Sequence, residues 1–485
     1  MSQLNGAQRG CLPQGFNSQL ERLEKYFKYE MGSKLNFINK SELAIDARRE
    51  HRINANSFQQ DALKTFNGWQ YACFYTQKDA SSNVLFVSLA RRPINESLGR
   101  WETLTFDDYE QTADDGHNTI SIGVCAGDGS IHVSFDHHCD PLHYRMSIQG
   151  VATSPAAHEW KPSLFSPTHN QLPGYTRTGQ LGIEKLFLET TYPRFIGIDD
   201  DLLFSYRIGI AGAGSDHLFK YSSKTQSYSY IGQFLTGVKN NPYINGISYA
   251  SGRIHVSGTY RGFVWYEGVD DPEARLHTVQ AGPNGPENNH NLFYVSSDDG
   301  GKTFNNTKGK RLANLELGET VFPDCDGLIV FDIPMNSGIL NQEAQAADNS
   351  GGFHVLNREN EVWIHYYRSP QGKWSRHALP DLRPTRTGAR GDVIALPGKN
   401  TVVFALPGNR DDKLTILGTR LPQEGVATEE TKLEYLTLWE GDGFSGEPQL
   451  ETFESGSQRL ISIFTRTEEE KRNVVVLDFA LDEDL

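Results

Sequence analysis

Beyond about residue 57 the chain is a succession of short apolar or alternating runs, separated by Gly, Asp, Asn and Pro. Examples are "GWQYACFYT", "NVLFVSLARR", "TISIGVCAGDGSIHVSFD", "LLFSYRIGIAGAG", "GRIHVSGTYRG", "GGFHVLNRENEVWIHYYR" and "RLISIFTRTEEEKRNVVVLDF". Aromatic and β-branched residues dominate these runs, and turn formers bound them, which is the pattern of hairpin strands. A helical period is confined to the first stretch of the chain. In "NSQLERLEKYFKYEMGSKL", Leu20, Leu23, Phe27 and Met31 recur at spacings of three and four, as one face of a helix requires. The expected organisation is a helical or irregular N-terminal segment, 1–56, packed on a β domain spanning 57–485.

Within the β domain a unit of the form Gly, short loop, Gly, strand recurs: "AGDGSIHVSFD", "YASGRIHVSGTY", "NSGGFHVLNREN". "SDDGGKTF", from Ser297 to Phe304, fits the Asp-box pattern S-x-D-x-G-x-T-[W/F]. Its Ser and Asp are expected to bond the turn backbone, and its aromatic ring to plug between strands, so it marks the fold rather than the chemistry. The chain has 46 glycines to supply turns, and no Pro/Ser-rich or low-complexity linker divides it. These features predict an all-β chain, a seven-bladed β-propeller of four-stranded blades, with a pair of β-sandwiches as the alternative.

Charge narrows the partners. Lys+Arg number 46 and Asp+Glu 61, a net charge of −15. That opposes general binding to nucleic acid or anionic membranes, which requires basic surface, but leaves room for a local cationic pocket. No apolar run reaches the roughly 18 residues needed to span a bilayer. The N-terminal residues show no apolar leader core, so the expectation is secretion if a leader has been removed and a cytoplasmic location otherwise. Triplets such as Asn305-Asn-Thr fit the glycosylation pattern but are common by chance. The 5 cysteines are odd in number and widely spaced, which argues against a disulfide framework. The chain is expected to act as a monomer.

The candidate chemistry lies in a few strand ends. "DDGHNTISIG" carries His117, and "IHVSFDHHCD" carries His137 and His138. With "GVCAGDGS" as the turn between them, His117 and His138 fall at the same end of one hairpin and within reach of one substrate. On a strand His137 and His138 point to opposite faces, so one of them faces a pocket. "TYPRFIGIDDDLLFSYRIG" is a second hairpin that brings Tyr192 and Arg207 together, with Tyr192 held extended by Pro193. A phenol and a guanidinium converging on one point suit a carboxylate. Arg261 in "GTYRGF", His290 in "NNHNLFYV", and Asn341, Gln342, Asp348 and His354 in "NQEAQAADNSGGFHV" are further polar candidates, each more often structural. Each pair also has a bland reading, as turn-bonded histidines and as a tyrosine and arginine anchoring loops. Cys139, Cys325 and the histidines at 138, 143, 217, 277 and 290 are conceivable zinc ligands without tight spacing, and Asp-rich turns could hold a structural calcium. Nucleotide-binding, zincin and nucleophile-elbow motifs are missing.

Taken together, "DDGHNTISIG", "DGSIHVSFDHHCDPLHYRMS", "TYPRFIGIDDDLLFSYR", "HNLFYVSSDDGGKTF" and "LNQEAQAADNSGGFHVLNREN" resemble the seven-bladed propeller polysaccharide lyases: the ulvan lyases and the related rhamnose–glucuronate lyases. The resemblance runs in order from about Gly116 to His365. It implies cleavage of the bond between rhamnose and O4 of glucuronate in an anionic polysaccharide, by β-elimination and with no cofactor required for chemistry. It also implies a catalytic group of His117, His138, Tyr192 and Arg207, with Arg261, Asn118 and His290 binding substrate. Two other classes remain: a sialidase-like hydrolase, which needs two carboxylates and an "R-I-P" arginine motif not found here, and a non-catalytic carbohydrate-binding propeller.

Overall fold

The computed structural model describes residues 35–482 apart from 57, 80–81, 95–96, 176–182, 211–212, 239, 263–287, 381–388, 409–411, 422–431 and 469–471. Strands form seven antiparallel sheets, spanning 63–111, 120–146, 190–235, 240–331, 344–378, 392–441 and 449–480. These are blades 1 to 7. Their innermost strands touch one another in chain order, and Gln449–Ser455 of blade 7 touches Leu63–Phe66 of blade 1, so the ring closes. The architecture is the expected seven-bladed propeller.

Closure is made by the N-terminus. Asn36–Ile45 pairs antiparallel with Asn473–Ala480 and becomes the outermost strand of blade 7. This moves the boundary of the expected helical or irregular segment 1–56: residues 36–45 are a strand, and the propeller begins before residue 57. Most of this strand is exposed, so no apolar alternation announced it. Its conformation comes from the open hydrogen-bonding edge it completes. The helix expected over 17–35 lies outside the described residues.

Blades pack face to face, so middle strands are buried on both sides and read as near-continuous apolar runs. Asn473–Ala480, "NVVVLDFA", is buried throughout. Its one charge, Asp478, is answered across the closure by Arg92 of blade 1, whose two terminal nitrogens donate to it at 2.6 and 2.8 Å while Nε and Nη2 donate to Gln70. A buried pair keeps its charges only with such full hydrogen bonding. The Asp box behaves as expected: Asp299 accepts from the Lys302 and Thr303 amides, Ser297 Oγ accepts from Gly301, and Phe304 is buried against Phe234. Gly301 is required there, since its φ is +94° and a Cβ would meet Leu218 at 2.6 Å. No helix among the described residues is long and apolar enough to cross a membrane.

Two irregularities position the chemistry. After Ile131–Phe135 the chain leaves blade 2, and His138–Asp140 pairs with Thr190 and Thr191 at the edge of blade 3. It then returns to blade 2 at Tyr144–Met146. Left-handed residues stand at both bends, Asp136 with φ 61° and Cys139 with φ 57°. In blade 3, Thr191 faces Arg207, but the next register pair is Arg194 with Ser205. Tyr192 and Pro193 therefore sit in a bulge. Tyr192 has φ 64°, so it is left-handed rather than extended as its place before Pro193 predicted. The bulge re-aims its side chain.

Candidate active site

The two histidines meet as the hairpin argument requires, and a carboxylate that argument missed joins them. Ile120 pairs with Phe135, which brings both strand ends together. Asp115 Oδ1 accepts from the His117 amide at 2.9 Å and lies 2.5 Å from His117 Nδ1, while Oδ2 lies 2.6 Å from His138 Nδ1. The rings stack with centroids 3.9 Å apart and planes 17° from parallel. Phe58 stacks on the outer face of His117 at 4.3 Å, and the Arg390 guanidinium lies over Phe58. The clue to Asp115 is the D-x-H spacing: an aspartate in a turn bonds the amide two residues on.

Electrostatics settle the tautomers. Burial works to raise the Asp115 carboxyl, but the bonds from both histidines outweigh it and hold it well below the usual carboxylate range. An ionised carboxylate only accepts, so each Nδ1 carries a proton, and a neutral ring held this way presents its lone pair at Nε2. Burial also lowers His117 to about 4, against the pull of Asp115. His117 is thus neutral in the neutral pH range.

Of the adjacent pair, His138 faces the site. His137 is buried at 1 % exposure and its Nε2 accepts from the His143 amide. Asn118, expected at the substrate, likewise turns away. It is buried and donates to Asp136, because the residue after His117 points to the opposite side.

Tyr192 and Arg207 complete the group. The Tyr192 ring lies 5.9 Å from His117 and 5.5 Å from Phe58, with the Arg207 guanidinium over it at 4.9 Å. Arg207 is 3 % exposed and donates to Tyr243 Oη at 3.2 Å and Thr191 Oγ1 at 3.4 Å. Behind it, Asp216 faces Arg207 across the strand pair, and burial raises its carboxyl to about 6 against the pull of Arg194 and Arg207. Tyr243, which the sequence did not single out, comes from the innermost strand of blade 4. Burial would raise its phenol, but Arg207 and Arg261 together draw it below the ordinary value. Tyr192 is raised instead, by burial and by Tyr243. Arg261 stands in a cross-strand row with Asn241 and Asn289, and His290 lies in the next row with its Nε2 3.1 Å from Asn240 Oδ1. Two histidines, two tyrosines and two arginines therefore border one place where blades 2, 3 and 4 meet.

An open central channel lies alongside. It is lined by Lys64, Arg390, Glu447 and Glu451 among others, and it meets the site at Arg194 and Gln342. The channel is not where the histidines stand.

A metal reading was open from the sequence. Among the described residues one group, Asp115, His117 and His138, brings three possible ligand atoms within 4.8 Å of one another. Stacked rings direct their in-plane lone pairs side by side, so one ion would lie well out of both planes. The arrangement suits a shared hydrogen-bonding carboxylate better than a coordinated cation. Cys139 and Cys325 are not in that group; Cys139 Sγ lies 3.9 Å from Arg207 Nη2. His217 meets Tyr230, and His277 lies outside the described residues.

Known proteins resemble the chain in sequence and in fold. It is 26 % identical over 399 residues to the long isoform of an ulvan lyase of Pseudoalteromonas sp. (strain PLSV), an alignment covering 72 % of this chain and 37 % of that protein. It is 25 % identical over 258 residues to the long-isoform ulvan lyase of an Alteromonas species, covering 46 % of this chain and 25 % of that one. The chain thus spans well under half the length of these curated relatives. Among solved structures, the polysaccharide lyase Uly1 superposes with a TM-score of 0.63 at 16 % identity, over 93 % of this chain and 98 % of the other. A PL25 ulvan lyase bound to -[GlcA(1-4)Rha3S]- superposes with a TM-score of 0.57 at 13 % identity, over 88 % and 96 %. At such identities the structural likeness is one of fold. Residues 69–382, more than half of the chain, match the sequence model described as "BNR repeat-containing family member", and the chain belongs to that family.

Proposed function

We propose that this chain is a polysaccharide lyase that cleaves the rhamnose-α-1,4-glucuronate bond of a uronate-containing polysaccharide, of ulvan or arabinogalactan type, by β-elimination. One observation carries the reading: a pair of histidines poised on a single carboxylate beside a tyrosine–arginine clamp. The ulvan lyases among its relatives support it.

The chemistry is an elimination across C4–C5 of the uronate. A base removes the proton on C5, the C4=C5 double bond forms, the C4–O4 bond breaks, and a proton goes to O4 of the departing sugar. The C5 proton is weakly acidic while the carboxylate keeps its charge. Arg207 and Tyr192 donate to that carboxylate and stabilise the enolate-like intermediate as charge builds on it. Arg261 and His290 bind the neighbouring sugar. His138 takes the C5 proton on Nε2 and, now charged, returns a proton to O4. His117 supports it. A ring held at about 4 is a poor proton store at neutral pH, so the acid step falls to His138. Fixed cationic and phenolic groups carry the charge stabilisation, so these steps call for no cofactor. The substrate is an anionic polymer, met by a few buried cations on an acidic molecule; nucleic acid and membrane are not partners, and the chain acts as a monomer.

A hydrolase of sialidase type finds less support. Most glycoside hydrolases need two carboxylates flanking the bond, and sialidases replace one of them by a tyrosine nucleophile; here Asp115 is committed to both histidines and Asp216 is buried behind Arg207. Incubation with ulvan and with glucuronate-bearing gums separates the readings. Ultraviolet absorbance from a new unsaturated uronide is expected; reducing ends without it would falsify elimination.

Asp115→Asn tests the shared carboxylate. An amide accepts from one Nδ1 but offers a donor to the other, so one ring is forced into the wrong tautomer. Turnover is expected to fall roughly 10- to 100-fold, less than on losing the base itself, with little change in Tm. Wild-type kcat in that variant removes Asp115 from the mechanism.

A further inference from the structure

Gln342 lies at the entry to blade 5, beside Arg194 and Tyr192 of blade 3, and the steps above leave it unused. Its surroundings are those of a functional group. It is 2 % exposed, and its backbone is left-handed with φ 53°, a conformation that costs a non-glycine residue energy and persists where the surroundings impose it.

Its amide has one possible orientation. Buried Arg194 donates from Nη2 to Gln342 Oε1 at 2.9 Å. The same guanidinium donates from Nη1 to the backbone carbonyl of Tyr192 at 3.2 Å and from Nε to Gln60 Oε1 at 2.6 Å. An arginine has no acceptor, so the carbonyl end of Gln342 must face it and the NH2 end must face away. That Nε2 is buried without a hydrogen-bond partner in the chain. It faces the Tyr192 phenol, whose ionised form the amide favours. A buried orphan donor is costly unless something completes it.

We propose that Gln342 is a positioning residue: a relay in which buried Arg194 polarises the Gln342 amide, whose Nε2–H donates to Tyr192 Oη and so drives the Tyr192 hydroxyl toward the substrate carboxylate. The inference rests on the lyase reading, in which Tyr192 touches that carboxylate. Hydrogen bonds in such a chain strengthen one another in a low-dielectric interior, and the first link here is a full cation. The relay explains why a further arginine is buried beside the site, and why a loop from blade 5 adopts a left-handed backbone to reach blade 3.

Two variants separate a relay from a tether. Gln342→Glu keeps an acceptor for Arg194 and replaces the donor facing Tyr192 with an oxygen. Gln342→Leu removes both. The relay predicts that Gln342→Glu, folded with a Tm close to wild type, loses kcat about tenfold or more on a glucuronate-bearing polymer, while KM moves less than about threefold. Gln342→Leu, where it folds, should lose at least as much. Wild-type kcat in Gln342→Glu overturns the relay, whether or not Gln342→Leu is impaired, because the tether to Arg194 alone would then suffice. A wild-type chain that releases no unsaturated uronide overturns the lyase reading and the relay with it, an outcome distinct from an active wild type with an active Gln342→Glu.

Discussion

His138→Ala is expected to fold as the wild type does and to turn over about a thousandfold more slowly, the middle of the range for losing a positioned acid–base group. The side chain is tied to the protein by one bond to Asp115 and by its stack on His117. Its removal leaves Asp115 Oδ2 facing partly accessible space rather than a dry interior, since that carboxylate is about one-third exposed. The cost should therefore fall on kcat and not on Tm. The contrast is His117→Ala. His117 is sandwiched between Phe58 and His138, so its loss disturbs the His138 ring, but only indirectly. A smaller fall is expected there. If His117→Ala were the more damaging change, the base would be His117; if His138→Ala kept activity within tenfold, His138 would have no place in the proton transfers. The measurement is release of unsaturated uronide, with thermal melting as the folding control.

For Arg207→Ala the expected loss is about 100- to 1,000-fold in kcat, some 3–4 kcal/mol of transition-state stabilisation, the scale of a preorganised donor aimed at developing charge. The guanidinium is already fixed, by Tyr243 and Thr191 and beneath the Tyr192 ring, so it spends little on reorganisation when the enolate forms. Alanine has a second effect. Asp216, raised to about 6 with both arginines present, would keep only Arg194, and its carboxyl would take up a proton more readily. Arg207→Lys controls for that, because it keeps a positive charge near Asp216 and loses the planar fork. If the clamp is bidentate, lysine restores stability and recovers only a minor part of the rate. Equal rates in the lysine variant and the wild type would sink the bidentate clamp, and an unchanged rate in alanine would remove Arg207 from the site.

The propeller was legible because its signal is local and repeated. A blade is a set of short hairpins, and hairpins announce themselves through runs such as "GRIHVSGTYRG" and turn glycines such as Gly301, whose φ admits little else. Residues 36–45 escaped that reading because their pairing is with residues 473–480 at the far end of the chain. The same distinction divides the site. His117 with His138, and Tyr192 with Arg207, are each close in sequence, so strand ends alone brought them together. Asp115 was within reach of the same argument through its spacing to His117. Tyr243, Phe58 and Arg194 were not: they meet the site from blades 3 and 4 and from the segment ahead of blade 1, and no local pattern marks them, while Gln342 of blade 5 was legible only as one polar candidate among several.

What the sequence by itself determined was therefore the repeat, its strands and turns, the two polar pairs and the resemblance they carry. Those depend on periodicity and on neighbours joined by a few residues of chain. Tertiary structure decided which adjacent histidine faces the site, which way Tyr192 points, and which charges stand behind them. The reasons are physical. A left-handed residue on either side of His137 and His138, and a bulge at Tyr192, override simple strand alternation. The packing of neighbouring blades brings carboxylate, phenol and guanidinium from blades 2, 3 and 4 into one place, where each sets the charge of the next.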